Sequence, residues 1–186
     1  MPSKEIRFDD IVFDPIVQTY CVTPNFKCPS YNHSWACPPV APYLEQEISQ
    51  YTKFYLVYVK FDFKQYIERI KAKHPKRSED RIRNTFFMKN LLRDKLEQEI
   101  IQFNNRLSQC FKKIFILWDG FCRVCSNQKD KGCTYDSGDP CRYPTKRKYS
   151  MEAVGIDVTK TVKKINLNIE WPPINHAYRF GLICIK

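Results

Sequence analysis

Four cysteines lie close together in the second half of the chain, in the segment CRVCSNQKDKGCTYDSGDPC. They are Cys122, Cys125, Cys133 and Cys141, and their spacing is C-x2-C-x7-C-x7-C. The C-x2-C step lets two sulfurs reach one metal, and backbone N–H groups in such a turn can donate to those sulfurs. The spacing therefore indicates a metal centre in a hydrophilic loop, either an iron–sulfur cluster or a zinc ion.

Three further cysteines, Cys21, Cys28 and Cys37, lie near the N-terminus with the spacing C-x6-C-x8-C. Three thiolates leave a [4Fe–4S] cluster one ligand short, and an incompletely ligated iron is a Lewis acid with an open coordination position. Proline follows two of these cysteines and stiffens the ligand loop. His33 is either a fourth ligand or a histidine beside the site.

Cys110 and Cys184 belong to neither group. Each lies in an apolar segment, so we expect both to be buried as small hydrophobic residues.

The segments that must position these residues alternate between strand and helix. Residues 52–63, 112–120 and the C-terminal YRFGLICIK are rich in aromatic and β-branched residues and predict three strands. Residues 78–110 have a helical period, which predicts one long helix or two with a break, with Ser78 as the N-cap. Asp157 is expected to cap a short helix that ends near residue 165.

The order of these elements predicts a small α/β (α+β) fold. We expect residues 1–186 to form a single domain, with a short sheet, packed helices and Cys-rich metal loops at one end of the sheet. The chain has 43% hydrophobic and 15% aromatic residues, enough to bury a core.

The N-terminus MPSKEIRFDD lacks the apolar region of a signal peptide, and the longest apolar runs are too short to span a bilayer. We therefore expect a cytoplasmic protein with no membrane partner. In a reducing compartment, nine cysteines point to metal before disulfides. The formal charge of +11 fits either a lysine-rich solvated surface or nucleic-acid binding, although no nucleic-acid-binding motif accompanies it.

Taken together, the two cysteine groups, the segment RKYSMEAVGIDVTKTVKK and the terminal FGLICI resemble the DUF2284 family over nearly the whole chain. The resemblance implies a metal-binding protein that carries iron–sulfur, and it favours iron–sulfur over zinc. It also draws attention to residues near the second cysteine group. Glu152 is either a first-turn acid after an N-cap at Ser150 or a catalytic acid–base facing an open iron. Arg142 either binds an anionic substrate, neutralises cluster charge or is a surface residue.

Three functions are consistent with these residues. The first is a redox or Lewis-acid enzyme with a three-cysteine [4Fe–4S] cluster and a four-cysteine cluster, acting on a small molecule. The second is a non-catalytic iron–sulfur module that exchanges electrons with an electron-donor protein. The third is a zinc-binding nucleic-acid module that uses Lys146, Arg147 and Lys148, with Tyr143 and Tyr149 as stacking groups.

Overall fold

A computed structural model describes residues 2–24, 26–88, 90–126 and 132–186. Its strands, in chain order, are β1 (Ser3–Ile6), β2 (Val22–Thr23), β3 (Phe26–Lys27), β4 (Lys53–Asp62), β5 (Ile114–Leu117) and β6 (His176–Ile185). Its α-helices are α1 (Glu45–Ile48), α2 (Phe63–Lys73), α3 (Glu79–Met88), α4 (Leu91–Leu107) and α5 (Val158–Lys164).

Four strands form one antiparallel sheet in the order β1-β4-β6-β5. β4 and β6 form its centre and pair along ten residues each. Both are long apolar runs of aromatic and β-branched residues, which suit a buried pleated surface. β2 and β3 form a separate hairpin between the first two cysteines. The mixed α/β fold predicted from the sequence is confirmed.

The sheet is covered on both faces, because successive side chains of a strand point to opposite sides. Phe54 and Leu56 of β4 belong to a core that includes Met151 and Val162. Val57 and its neighbours on the other face pack against α2, α3 and α4. Helices and loops therefore bury both faces of the central strands, which explains why β4 and β6 lack a regular polar alternation.

The helical period after residue 78 is divided between α3 and α4, as one of the two alternatives predicted. Ser78 caps α3, since its Oγ accepts a hydrogen bond from the backbone N–H of Arg81 at 3.3 Å. Asp157 caps α5 in the same way, accepting from the N–H of Lys160 at 2.8 Å. Both predicted caps are confirmed.

Several elements were not predicted from the sequence, among them α2, the edge strand β1, the β2–β3 hairpin and α1. The strand expected to end at Phe63 stops at Asp62, whose carboxylate accepts from Gln65 N–H at 2.8 Å and starts α2 directly. The edge strand β1 is only four residues long and carries two charged side chains. Cys184 is buried as expected, whereas Cys110 is exposed, because it follows the end of α4 instead of facing the core. None of the described helices is long and apolar enough to cross a membrane.

Candidate metal centre

The first two cysteines of the N-terminal group lie on either side of the β2–β3 hairpin. The backbone N–H of Cys28 donates to the carbonyl of Cys21 at 2.8 Å, so the short hairpin closes the gap between the two positions. The two thiols also hydrogen-bond each other. Both this hydrogen bond and the charge of Cys28 contribute to raising the pKa of Cys21. Local backbone pairing thus brings together two cysteines that are seven positions apart in the sequence.

Cys37 completes this group from a compact loop. Its N–H donates to the carbonyl of Ser34 at 3.1 Å, and its carbonyl accepts from Ala41 N–H at 3.1 Å. The side chain is only 6% exposed, and it lies close enough to Cys21 and Cys28 to be affected by their charge. The three N-terminal cysteines therefore lie within electrostatic range of one another.

Two thiols of this group, those of Cys21 and Cys37, resist ionisation in the absence of a cation. Burial raises the pKa of Cys37 to about 11, with smaller contributions from the neighbouring thiols and an opposing hydrogen bond from Ser34. Burial likewise raises the pKa of Cys21 to about 11, helped by Cys28 and by Glu152. A metal centre supplies the positive charge that such thiolates need, and its binding releases their protons.

The four cysteines of the second group follow β5, and all four are half-buried. Each of them lines a cavity of about 200 Å³ that also contains Trp35 and His33 of the N-terminal segment. Residues 127–131, between the second and third cysteine of the group, lie outside the described part of the chain. The structure therefore brings the four cysteines to the lining of one cavity.

Arg123, between Cys122 and Cys125, anchors the C-x2-C turn to α4. Its guanidinium lies 2.7 Å from the carboxylate of Asp94 and 2.7 Å from that of Glu97. Glu97 also pairs with Lys148 at 3.1 Å, on the segment that follows the fourth cysteine. One half-buried carboxylate thus joins both ends of the cysteine loop to the helix.

Arg147 is the basic residue that contacts the second group. It hydrogen-bonds the thiol of Cys141 and the phenol oxygen of Tyr149, and it lines the same cavity. Burial lowers the pKa of Arg147, but its hydrogen bonds to Tyr149 and Cys141 outweigh this effect and raise the pKa overall. A guanidinium beside a thiolate sulfur offsets part of the charge of a metal–thiolate centre.

The two cysteine groups are neighbours. The charge of Cys122 contributes to raising the pKa of Cys37, so these two members of the groups lie within electrostatic range of each other. Trp35 adds a direct link, because its indole N–H donates to the carbonyl of Asp139 at 3.1 Å. All seven cysteines therefore lie in one region of the molecule. The sequence shows that there are two groups, but it does not show that they are neighbours.

The donor set fits a soft metal centre. Seven thiols are the ligands that iron–sulfur clusters and zinc prefer, and six of the seven are partly accessible. Within the described residues, no group of three or more Cys, His, Asp or Glu side chains is arranged around the position of a single metal ion.

Glu152 lies between the N-terminal cysteines and a second cavity. It begins a short 3₁₀ helix, Glu152–Val154, and the Oγ of Ser150 accepts from Ala153 N–H at 3.1 Å in the manner of a cap. The carboxyl is near enough to Cys21 to influence its pKa. On its other side Glu152 lines a cavity of about 330 Å³ with Asp119 and Arg179.

The electrostatic setting of Glu152 favours its neutral form. Enclosure by protein atoms raises the pKa of Glu152 and the charge of Asp119 adds to the effect, while Arg179 opposes it. The side chain nevertheless keeps an exposed surface, because it faces the cavity and not the packed core. A carboxyl whose pKa is raised and which remains reachable is better suited to donate a proton than an ordinary surface carboxyl.

Arg142 lies away from both cavities. Its guanidinium donates to the carbonyl of Gly132 at 2.7 Å, and its side chain is exposed on the cysteine loop. Binding of an anionic substrate by Arg142 stays a prediction. Of the basic run proposed for nucleic acid, Arg147 and Lys148 make the internal contacts described above, and Lys146 is exposed.

Sequence reasoning missed Asp119 and Arg179. Arg179 donates to Asp119 Oδ1 at 3.1 Å, and Asp119 is only 7% exposed. A signal was present, since an acid just past the end of a strand lies on a loop, where functional residues are common. The sequence does not show which strand would lie beside Asp119.

Comparison with known proteins gives one match. No curated protein and no solved structure matches the chain. A family described as "Predicted metal-binding protein (DUF2284)" matches residues 4–185. That range contains both cysteine groups, Glu152 and the whole sheet except one residue of its edge strand. The chain therefore belongs to the DUF2284 family of predicted metal-binding proteins.

Proposed function

We propose that the chain is an iron–sulfur enzyme that uses a three-cysteine [4Fe–4S] cluster with an open iron. Cys21, Cys28 and Cys37 would hold this cluster. The observation that carries the proposal is the position of Glu152, which neighbours Cys21 on one side and opens into the 330 Å³ cavity on the other. A substrate in that cavity would contact Glu152, and the proposed cluster would lie on the far side of Glu152.

The residues of the chain have separate roles in this proposal. When bound, the cluster supplies a Lewis-acidic iron that can bind a substrate oxygen, sulfur or nitrogen. Glu152 gives its proton to the leaving atom, which departs with its bonding electron pair. In an elimination, a neighbouring C–H bond supplies the electrons of the new double bond. The proton of that C–H bond passes to water, and Glu152 then takes up a proton from water.

The four cysteines after β5 would hold a second cluster for electron entry. Arg147 would offset its charge through the contact with Cys141, and Arg123 would hold the C-x2-C turn in place. The proximity of Cys37 to Cys122 supports transfer between the two centres, because nearby centres exchange electrons without a mediator. An electron-donor protein would then be the partner.

Anaerobic analysis of iron, zinc and acid-labile sulfide per chain tests the metal assignment. About eight iron and eight sulfide are expected, the content of two [4Fe–4S] clusters. About four of each would mean one cluster and would remove one of the two groups from the proposal. Zinc in stoichiometric amount without sulfide would contradict it.

Spectroscopy of the reduced protein tests the open iron. Added cyanide is expected to change the electron paramagnetic resonance signal of one cluster and to leave the other unchanged. Cys110→Ala serves as a control, since its thiol lies outside both groups. Two signals that are both unaffected by cyanide would mean that every iron is fully ligated.

A second candidate is the non-catalytic electron-transfer module. It is favoured by three large apolar side chains next to the first two cysteines, Tyr20, Val22 and Phe26, which are 54%, 43% and 57% exposed. Exposed apolar side chains beside a redox centre suit a transient contact with a protein partner. This candidate predicts saturated clusters and no response to cyanide.

A further inference from the structure

The cavity behind Glu152 has a lining that is mostly apolar and aromatic. Tyr178 and Phe180 of β6 form one wall, with ring centroids 6.0 Å apart and planes within 7° of each other. Trp171 lies at the mouth and is 76% exposed. Flat walls of this kind favour a planar ligand, and a volume of about 330 Å³ suits a small one.

The charges in the lining disfavour anions. Asp119, Glu152 and Glu170 contribute three carboxyl groups, and Arg179 is the one basic residue among the described residues of the lining. Hydrogen bonds from Asn175, first from its side chain and then from its backbone, lower the pKa of Glu170 to about 2, so it stays ionised. Even with Glu152 neutral, acids outnumber the guanidinium, although the chain as a whole carries +11.

Arg179 is held in place by a buried partner. Its Nη1 lies 3.1 Å from Asp119 Oδ1, and Asp119 Oδ2 is buried with no hydrogen-bond partner among the described residues. One third of the Arg179 side chain remains exposed, so N–H groups are left to meet a ligand. A fixed guanidinium beside the Glu152 carboxyl thus offers donors next to a group that can accept or donate.

We propose that this cavity binds a small, planar, uncharged amide, with Arg179 donating to its carbonyl oxygen and Glu152 accepting from its N–H, and that it excludes the corresponding carboxylate. A planar amide presents a C=O and an N–H on one edge and an aromatic or conjugated face to the walls. A carboxylate of the same shape could accept hydrogen bonds from Arg179, but it would place a further negative charge beside the acidic residues of the lining. The inference rests on the proposed function only in treating this cavity as the substrate side of Glu152.

Nicotinamide and nicotinate form a matched pair of probes, because they differ only in amide against carboxylate. Saturation-transfer NMR of the anaerobically purified full chain, titrated with each probe, measures weak binding directly. Nicotinamide is expected to bind at least about tenfold more tightly than nicotinate, the effect of about one charge-assisted hydrogen bond. Equal or tighter binding of nicotinate, or no binding of either probe, would overturn the proposal.

Three variants locate the binding site. Trp171→Ala is expected to raise the Kd of nicotinamide about tenfold through loss of stacking, and the fold should persist because this side chain is largely exposed. Arg179→Gln should raise it about tenfold or more, since it removes the donor to the carbonyl. Arg81→Gln, an exposed arginine of α3, should leave the Kd unchanged. An unchanged Kd in Trp171→Ala would place the probe elsewhere and overturn the assignment.

These measurements separate the ligand class from the metal assignment. Binding is observed without turnover, so a protein with about eight iron that does not bind nicotinamide rejects the ligand class alone. A zinc protein that binds nicotinamide with the expected variant pattern keeps the ligand class and rejects the iron–sulfur function.

Discussion

Nδ1 of His33 lies 2.8 Å from Oδ1 of Asp136, which joins the N-terminal cysteine segment to the second cysteine loop across 103 positions of sequence. The adjacent residue of the loop repeats the connection, since the phenol of Tyr135 donates to Oδ1 of Asn32 at 2.6 Å. Tyr135 also packs edge-on against Trp35, with centroids 5.0 Å apart. The two loops therefore form one unit before any metal is considered.

The contact with Asp136 predicts that His33 supports the site without binding the metal. His33→Ala should leave iron and sulfide per chain unchanged and should alter the free energy of unfolding by at most about 1 kcal/mol, because both partners are more than half exposed. Elemental analysis and denaturant unfolding measure the two quantities. A loss of about half the iron in His33→Ala would instead identify the histidine as a ligand.

Cys37 and Cys125 are expected to fail in different ways when replaced. Cys37→Ala should remove the iron of the open cluster and abolish turnover while most of the fold persists, since the hairpin and the sheet do not depend on its sulfur. Cys125→Ala should reduce solubility, because the loop that it closes packs on the N-terminal segment.

Iron content, circular dichroism and the soluble fraction distinguish the two variants, and Cys110→Ala is the control for loss of an exposed thiol. Equal loss of folding in Cys37→Ala and Cys125→Ala would contradict a division of roles between the two groups.

Glu97 is expected to control acid stability of the second cysteine loop. Burial raises its pKa, but hydrogen bonds from Arg123 and Lys148 outweigh burial and hold the pKa below its ordinary value of 4.5. A carboxyl with a lowered native pKa contributes stability above the unfolded pKa, and this contribution is lost as the pH falls through the native pKa. The wild-type chain should therefore lose stability below about pH 4.5 more steeply than Glu97→Gln.

At neutral pH, Glu97→Gln should be less stable by about 3 kcal/mol, because it leaves buried Arg93 and half-buried Arg123 without their shared carboxylate. Urea unfolding at pH 7 and at pH 4 measures both effects. Glu68→Gln, which removes an exposed carboxylate from α2, is the control and should shift neither value by more than about 0.5 kcal/mol. Parallel pH profiles for wild type and Glu97→Gln would show that Glu97 carries no such linkage.

Features set by short stretches of sequence could be predicted. β4 and β6 are mostly apolar segments, and the caps at Ser78 and Asp157 depend on a side chain and an N–H three residues later. The cysteine groups could be recognised as groups because their spacing is local. α2 was missed because its cap, Asp62, is also the last residue of β4, with no turn residues between strand and helix.

Contacts set by strand register could not be predicted. β5 pairs Leu117 with Leu182, and this register brings Asp119, two residues past the strand, to Arg179. Nothing near Asp119 in sequence indicates which strand lies beside it. The contact of Arg147 with the thiol of Cys141 has a similar cause. The sequence does not show that the chain between these two residues, which includes a short 3₁₀ helix, returns Arg147 to the sulfur.

Gly155 is expected to be required for the turn that positions Glu152. Its N–H donates to the carbonyl of Glu152 at 3.1 Å and its φ is +93°, in the left-handed region. A Cβ at this position would meet two ring carbons of Tyr43 at 2.4 Å. Gly155→Ala should therefore lower the free energy of unfolding by about 2–4 kcal/mol, combining backbone strain with overpacking.

Gly138→Ala separates the two contributions. Gly138 also has a positive φ, +74°, but an added Cβ there would meet nothing within 4 Å. It should cost only the backbone strain, about 1 kcal/mol, because the clash is absent. Denaturant unfolding of both variants measures the difference. If Gly155→Ala cost no more than Gly138→Ala, the Tyr43 ring would have to move at little cost, and the turn that carries Glu152 would not be fixed by packing.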